Sequence, residues 1–168
     1  SFMYPPAQNY FDSVARNFAQ LSSLAPVIDQ AAGTMTQAIR AGRKVMFCGN
    51  GGSAADSQHL AAELMGRYLK DRAPLPAIAL TVDTSALTAI ANDYGYADVF
   101  SRQLRGLGQS GDVLVGLSTS GNSENVLRAV DVARALGIAT IGMTGRDGGK
   151  LRMVCDIAIC VPANETNH

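Results

Sequence analysis

The chain has 168 residues, enough for one domain with a real core. Apolar residues make up 47% and charged residues 17%, which excludes a disordered chain and a coiled coil. Lys plus Arg and Asp plus Glu are 14 each, so the formal net charge is zero and the basic surplus of a nucleic-acid binder is missing.

Residues 1–41 read as helical. Tyr10, Phe11, Val14, Phe18, Leu21 and Leu24 recur at helical spacing. Pro26 suits the first turn of a second helix, from about Val27 to Ala41, with Ile28, Ala31, Met35 and Ile39 on one face. Gly42 ends it. From Lys44 the pattern changes to short continuous apolar runs, the signature of strands buried on both faces. They are Val45–Cys48, Pro76–Thr81, Asp112–Ser118, Ala139–Gly145 and Asp156–Val161. Helical segments separate them: Ala54–Tyr68, Ser85–Ile90, Val99–Leu107 and Asn125–Leu136. Strand alternating with helix predicts an α/β fold, a doubly wound parallel sheet of five strands sandwiched by helices. The chain thus reads as one domain, with N-terminal helices over 1–41 and an α/β core over 44–163.

No apolar run reaches the ~18 residues of a membrane span, and the N-terminus lacks the basic start and apolar stretch of a signal peptide. Ser1 and Phe2 precede the first Met and read as an expression remnant. Cys48, Cys155 and Cys160 have no CxxC spacing, which excludes a zinc site of that type. Cys48 and Cys160 lie in apolar runs, so buried free thiols in a reducing cytoplasm are expected.

Ligands of such sheets bind at the carboxyl ends of the strands, near the topological switch point. The first strand leads into Gly49-Asn50-Gly51-Gly52-Ser53, where a helix opens. Glycines admit a ligand to the backbone, and a helix start offers free N–H groups and the positive end of a dipole. A plain tight turn with Ser53 as N-cap is the alternative. The third strand leads into Ser118-Thr119-Ser120-Gly121-Asn122-Ser123, again before a helix. Its hydroxyls and helix N–H groups make a neutral phosphate site that needs no Arg or Lys. A polar loop with one N-cap is the plainer account. Two such loops opening toward one sheet edge point to a small phosphorylated ligand.

The helix after Ser53 carries Asp56, His59 and Glu63. His59 and Glu63 are four residues apart and share a face. The pair can ligate a divalent metal or supply an acid and a base, and a solvated helix face carries such pairs too. Asn92 and Asp93 end a short apolar helix, as C-capping residues or as contacts to ligand hydroxyls.

These loops and the five-strand pattern resemble the sugar isomerase (SIS) domain, and more closely the phosphoheptose isomerase family. The resemblance is carried by the stretch from Cys48 to His59, Ala61-Ala62-Glu63, Leu75–Leu80, Leu87–Tyr96, Gly111–Gly116 and Ser118–Ser123, and covers roughly residues 10–163. It implies a flavodoxin-like fold and an aldose–ketose isomerisation of sedoheptulose 7-phosphate to a manno-heptose 7-phosphate. That is the first step toward ADP-heptose, a precursor of lipopolysaccharide and other surface glycans. By resemblance, Asn50, Gly51, Gly52 and Ser53 line the sugar-phosphate site, and Ser118, Thr119, Ser120 and Ser123 hold the phosphate. Asn92 and Asp93 match substrate contacts. Glu63 matches a catalytic acid/base and a substrate contact, and His59 with Glu63 match ligands of a zinc ion. A carboxylate suits the transfer of a proton between C1 and C2 through an enediol, and a metal would stabilise the enediolate. If Glu63 holds the metal its freedom as a base is reduced, and that division of roles stays open. Relatives continue into a C-terminal helix that brings a Gln and a His to the site. The sequence stops at His168, so the zinc site is expected to be incomplete in this chain.

The family resemblance also implies a cytoplasmic homo-oligomer, a tetramer, with sites near subunit boundaries. Phe11, Val14, Phe18, Leu21, Ile28, Met35 and Ile39 offer the apolar surface for it. Non-catalytic SIS proteins are the rival reading: relatives that bind the bacterial replication initiator, or modules that sense a sugar phosphate. The initiator-binding relatives differ at the positions matching Gly52 and Glu63, and this chain keeps both.

Overall fold

The computed structural model describes residues 22–66 and 73–162. The first expected helix, through Leu21, lies outside them. The second is present as α1 (Ala25–Arg40), with Pro26 in its first turn. There follow β1 (Val45–Cys48), α2 (Gly52–Met65), β2 (Ala77–Ala79), α3 (Thr84–Tyr94), α4 (Val99–Leu107), β3 (Val113–Ser118), α5 (Glu124–Ala135), β4 (Ala139–Thr144), α6 (Leu151–Val154) and β5 (Ile157–Cys160). A single 3₁₀ turn, Tyr96–Asp98, joins α3 to α4.

All five expected strands form, and every pairing is parallel, in the order β2-β1-β3-β4-β5. Val45 sits opposite both Ala77 and Val113, and Ile141 opposite both Val115 and Ile157. β1 and β3 are buried along their whole length, which is why they read as unbroken apolar runs. Alternate residues feed two cores. Met46, Cys48 and Leu114 pack on one face with Phe100 and Leu104 of α4 and Val126, Ala129 and Val130 of α5. Val45, Phe47, Val115 and Ile159 pack on the other with Ala31 and Ala38 of α1 and Ala61 of α2. Phe100 is 2% exposed, and truncating such a side chain to Ala costs about 3–5 kcal/mol.

α3 is longer than its apolar stretch. The Asp83 side chain caps its start and Gly95, at φ +104°, ends it. α6 and the 3₁₀ turn are too short to show a period in sequence. Two features place the functional loops. The order of strands reverses between β1 and β3, so their carboxyl ends flank a crevice. α5 seats tightly on β3, because Gly116 has no side chain: a Cβ there would lie 2.8 Å from Val126 Cγ1. Among the described residues no helix is long and apolar enough to cross a membrane.

Candidate active site

Two helices begin at the crevice, and no side chain caps either of them. α2 starts at Gly52 with Gly51 in the cap position at φ +55°. Ser53 therefore lies inside the first turn and is not the N-cap that the tight-turn alternative required. α5 starts after Ser123, yet its hydroxyl caps nothing. It turns to the Ser118 hydroxyl, 2.8 Å away. A capping Ser ordinarily accepts from an N–H of the first turn. Both helix starts are thus left with first-turn N–H groups that no capping side chain satisfies, at the positive ends of two dipoles.

These starts border a cavity of about 260 Å³. Asn50, Ser53, Ser118, Thr119, Ser120 and Ser123 line it, and Leu117 and Arg146 complete its wall. Six of the expected site residues are thereby brought together. A second cavity of about 340 Å³ adjoins it, sharing Ser53, Leu117 and Thr119 and adding Asp56, Thr144 and Gly145. Gly51 and Gly52 are exposed at the same loop.

Three hydrogen bonds tie the walls to one another. Asn50 Nδ2 donates to Asn125 Oδ1 at 2.8 Å, and Asn125 Nδ2 donates back to Asn50 Oδ1 at 2.8 Å. Tyr96 OH donates to the same Asn50 Oδ1 at 3.0 Å. Asn125 is 3% exposed and Asn50 half-buried, so this amide pair is a partly buried clamp between the β1 loop and the start of α5. Asn125 and Tyr96 were not expected in the site. Asn125 did leave a signal, a polar residue on the helical stripe of Ala129 and Ala133, all three buried.

The loop after β4 forms a third wall. Gly145 N donates to Thr119 O at 2.9 Å, and Leu151 N to Gly121 O at 2.8 Å. Gly121, at φ +72°, lies so close to Gly148 that any Cβ would collide with its carbonyl. This packing carries Arg146 to the cavity, a residue that no motif in the sequence marks.

Other expected residues lie apart from the cavity. Asn92 and Asp93 are exposed in the last turn of α3, bonded to each other at 2.9 Å. They do not cap α3, since the cap is Gly95, whose N–H donates to the carbonyls of Ile90 and Ala91. His59 Nε2 and Glu63 Oε1 are 3.4 Å apart, with side chains 73% and 31% exposed. At ~1.5 Å rise per residue they stand about 9 and 15 Å along α2 from Ser53. Glu63 borders a different, apolar cavity of about 340 Å³ between α1, α2 and the sheet. Among the described residues no three His, Cys, Asp or Glu side chains converge as a metal site. His59 and Glu63 are two donors where zinc takes three or four protein ligands.

The cysteines are free, and burial makes Cys48 and Cys155 poor nucleophiles. Burial, with the neighbouring Cys155, pushes the Cys48 thiol up to about 12. Burial also raises Cys155, to about 11.

A parallel 2-1-3-4-5 sheet with hydroxyl-rich loops at its switch point is the architecture of a SIS domain. The SIS domain family model matches residues 9–145. The chain is 59% identical to the phosphoheptose isomerase of Rhodospirillum rubrum over 157 residues, 94% of this chain and 84% of that protein. Two solved phosphoheptose isomerases share its fold. That of Neisseria gonorrhoeae aligns with a TM-score of 0.85 at 48% identity, over 95% of this chain and 85% of its own. That of Francisella tularensis aligns with a TM-score of 0.87 at 39% identity, over the same shares. The chain belongs to the phosphoheptose isomerase family of SIS-domain enzymes.

Proposed function

We propose that the chain is an aldose–ketose isomerase converting D-sedoheptulose 7-phosphate to D-glycero-D-manno-heptose 7-phosphate, the first step toward ADP-heptose. The observation that carries this is the hydroxyl-lined cavity at which α2 and α5 both start uncapped. Hydroxyls of Ser118, Thr119, Ser120 and Ser123, with first-turn N–H groups, are the donor set a phosphate ester takes. The phosphate is on C7, so the reacting C1–C2 end points away from this cavity. Asn50, Ser53, Gly51 and Gly52 border the sugar next to the phosphate, and Asn92 and Asp93 meet its hydroxyls further out. Glu63 removes a proton from C1 and returns it to C2, while the hydroxyl proton on O1 is lost and one is gained on O2. The cis-enediol lies between. Glu63 lies on the same helix whose start borders the phosphate cavity, about three turns further on, which supports this assignment.

His59 and Glu63 also supply two donors toward a zinc ion, whose other ligands come from outside the described residues. The enzyme acts in the cytoplasm as a homotetramer with its sites near subunit boundaries. Ile28 on α1 is 46% exposed, and the apolar cavity beneath α1 opens beside it, which supports an association surface there. The test is turnover of sedoheptulose 7-phosphate by the full-length protein, followed by NMR with and without a chelator, beside light scattering. Turnover by an oligomer is expected. No turnover in either condition overturns the activity, and a monomer at micromolar concentration overturns the assembly.

A further inference from the structure

We propose that Arg146 is the charged member of the phosphate site, pairing its guanidinium with the phosphate that the surrounding hydroxyls hold. The inference rests on the phosphate reading above. Four observations carry it. Among the described residues Arg146 is the only cation bordering the cavity, where Asn50, Ser53, Ser118, Thr119, Ser120 and Ser123 are all neutral. It is anchored there, because its loop is bonded to the serine loop through Gly145 N and Thr119 O at 2.9 Å.

The guanidinium is also uncommitted. Among the described residues it makes no hydrogen bond or ion pair. Arg128, by contrast, is engaged with Asp98 and Glu124, Arg134 with the Val154 carbonyl and Arg152 with the Asp147 carbonyl, while Arg40 and Arg105, which share the lack of a described partner, do not border this cavity.

The fourth observation is backbone strain. Arg146 has φ +52°, and among the described residues it is the one non-glycine with positive φ. Its loop neighbours Gly148 and Gly149, at +87° and +52°, show that glycine is the unstrained choice in this turn. A non-glycine side chain in this conformation carries a backbone cost, and an outlier of that kind beside a ligand cavity supports a functional role for the side chain. The chemistry fits the residue type, since a planar guanidinium offers two parallel N–H donors to phosphate oxygens.

The experiment is calorimetric titration of inorganic phosphate into the full-length protein at low and high salt, with KM for sedoheptulose 7-phosphate measured in parallel. The variants are Arg146→Gln, Arg146→Gly and Ser120→Ala. Arg146→Gln should weaken phosphate about ten- to a hundredfold, the loss expected for hydrogen bonds between charged groups, and raise KM with kcat little changed. Its affinity should depend less on salt than the wild type's. Arg146→Gly should weaken phosphate equally while keeping or raising the unfolding temperature, because it relieves the positive φ. A merely structural Arg146 would instead lower the unfolding temperature and leave affinity alone, which overturns the proposal. If Arg146→Gln binds like the wild type while Ser120→Ala is weakened, Arg146 is a rim residue and the phosphate reading stands. If the wild type binds no phosphate, that reading fails and the role of Arg146 fails with it.

Discussion

At the amino edge of the sheet Asp112 is buried and accepts from Lys44 Nζ at 2.8 Å, Lys44 N at 3.0 Å and Gln109 N at 2.8 Å. Asp156, at the start of β5, accepts from Thr140 N at 2.8 Å, and its own N–H donates to Thr140 Oγ1 at 2.9 Å. Polar groups there are satisfied by the protein itself. At the carboxyl edge the serine hydroxyls meet one another, two helix starts stay uncapped and a guanidinium stands free of described partners. The same types of group make structure at one edge and a receptor at the other. The difference is whether the chain completes their hydrogen bonding, and it can be broken from either side.

The largest effect is expected at the amino edge. Asp112→Asn leaves the Lys44 ammonium beside a neutral amide and turns one acceptor into a donor. Lys44 is 26% exposed, so the cost should be about 3 kcal/mol, the lower end for breaking a buried pair. Burial pushes the Asp112 carboxyl up, but the hydrogen bonds from Lys44 and Gln109 and the charge of Lys44 hold it below its ordinary value. A carboxylate depressed in the folded state stabilises above its unfolded pKa, about 3.9, and loses that contribution as pH falls through the lower folded value. Urea midpoints of the wild type should therefore drop below about pH 4, and Asp112→Asn should lack that part of the drop. Phosphate affinity should not change. A variant as stable as the wild type would remove the contrast between the edges.

Next comes the chemistry. Glu63→Gln keeps size and hydrogen bonding but removes the base, so turnover should fall about 10²-fold or more while a substrate analogue still binds. Measured on the full-length protein, wild-type turnover would make Glu63 a plain helix residue packed beside the apolar cavity.

The central strands and both loops of the carboxyl edge were legible for a physical reason, while the hydrogen bonds of the amino edge were not. β1 and β3 are buried on both faces and carry no polar interruption, and α4 repeats its apolar residues at helical spacing. Gly51 to Ser53 and Ser118 to Ser123 hold their chemistry within a few consecutive residues at strand ends. Tyr96 and Arg146 were not legible, and Asn125 only as a polar residue on an apolar stripe, because Asn125 and Tyr96 meet Asn50, and Arg146 the cavity, by tertiary packing. Arg146 arrives only because Gly121 lets the β4 loop close on the serine loop. The spacing of His59 and Glu63 showed a shared face, yet not how far along α2 that face stands from the cavity. The apolar pattern of α3 stops at polar Asn92 and Asp93, whereas the helix itself runs on to Tyr94.

A smaller effect tests the open edge directly. Ser120 accepts from Asn122 N at 3.1 Å, a turn bond on the exposed side of the loop. Ser120→Ala should cost little stability and weaken sugar-phosphate binding by about 1–2 kcal/mol. Unchanged affinity in calorimetry takes the serine loop out of the site.

The smallest effect compares two helix starts. Asp83 Oδ1 accepts from Ala86 N at 2.9 Å, so α3 begins with a true side-chain cap. None of its residues is fully buried, and packing gives its first turn little support. Asp83→Ala should therefore cost about 1 kcal/mol and leave sugar-phosphate binding unchanged. Ser123 holds the same position on α5 and caps nothing. Ser123→Ala should cost less, since Ser118 Oγ still accepts from Ser123 N at 3.4 Å, yet it should weaken binding as Ser120→Ala does. Thermal unfolding and phosphate titration of the two variants should thus rank them in opposite orders. If Ser123→Ala loses as much stability as Asp83→Ala and keeps its affinity, Ser123 is an ordinary cap, and the start of α5 is structural rather than held open for an anion.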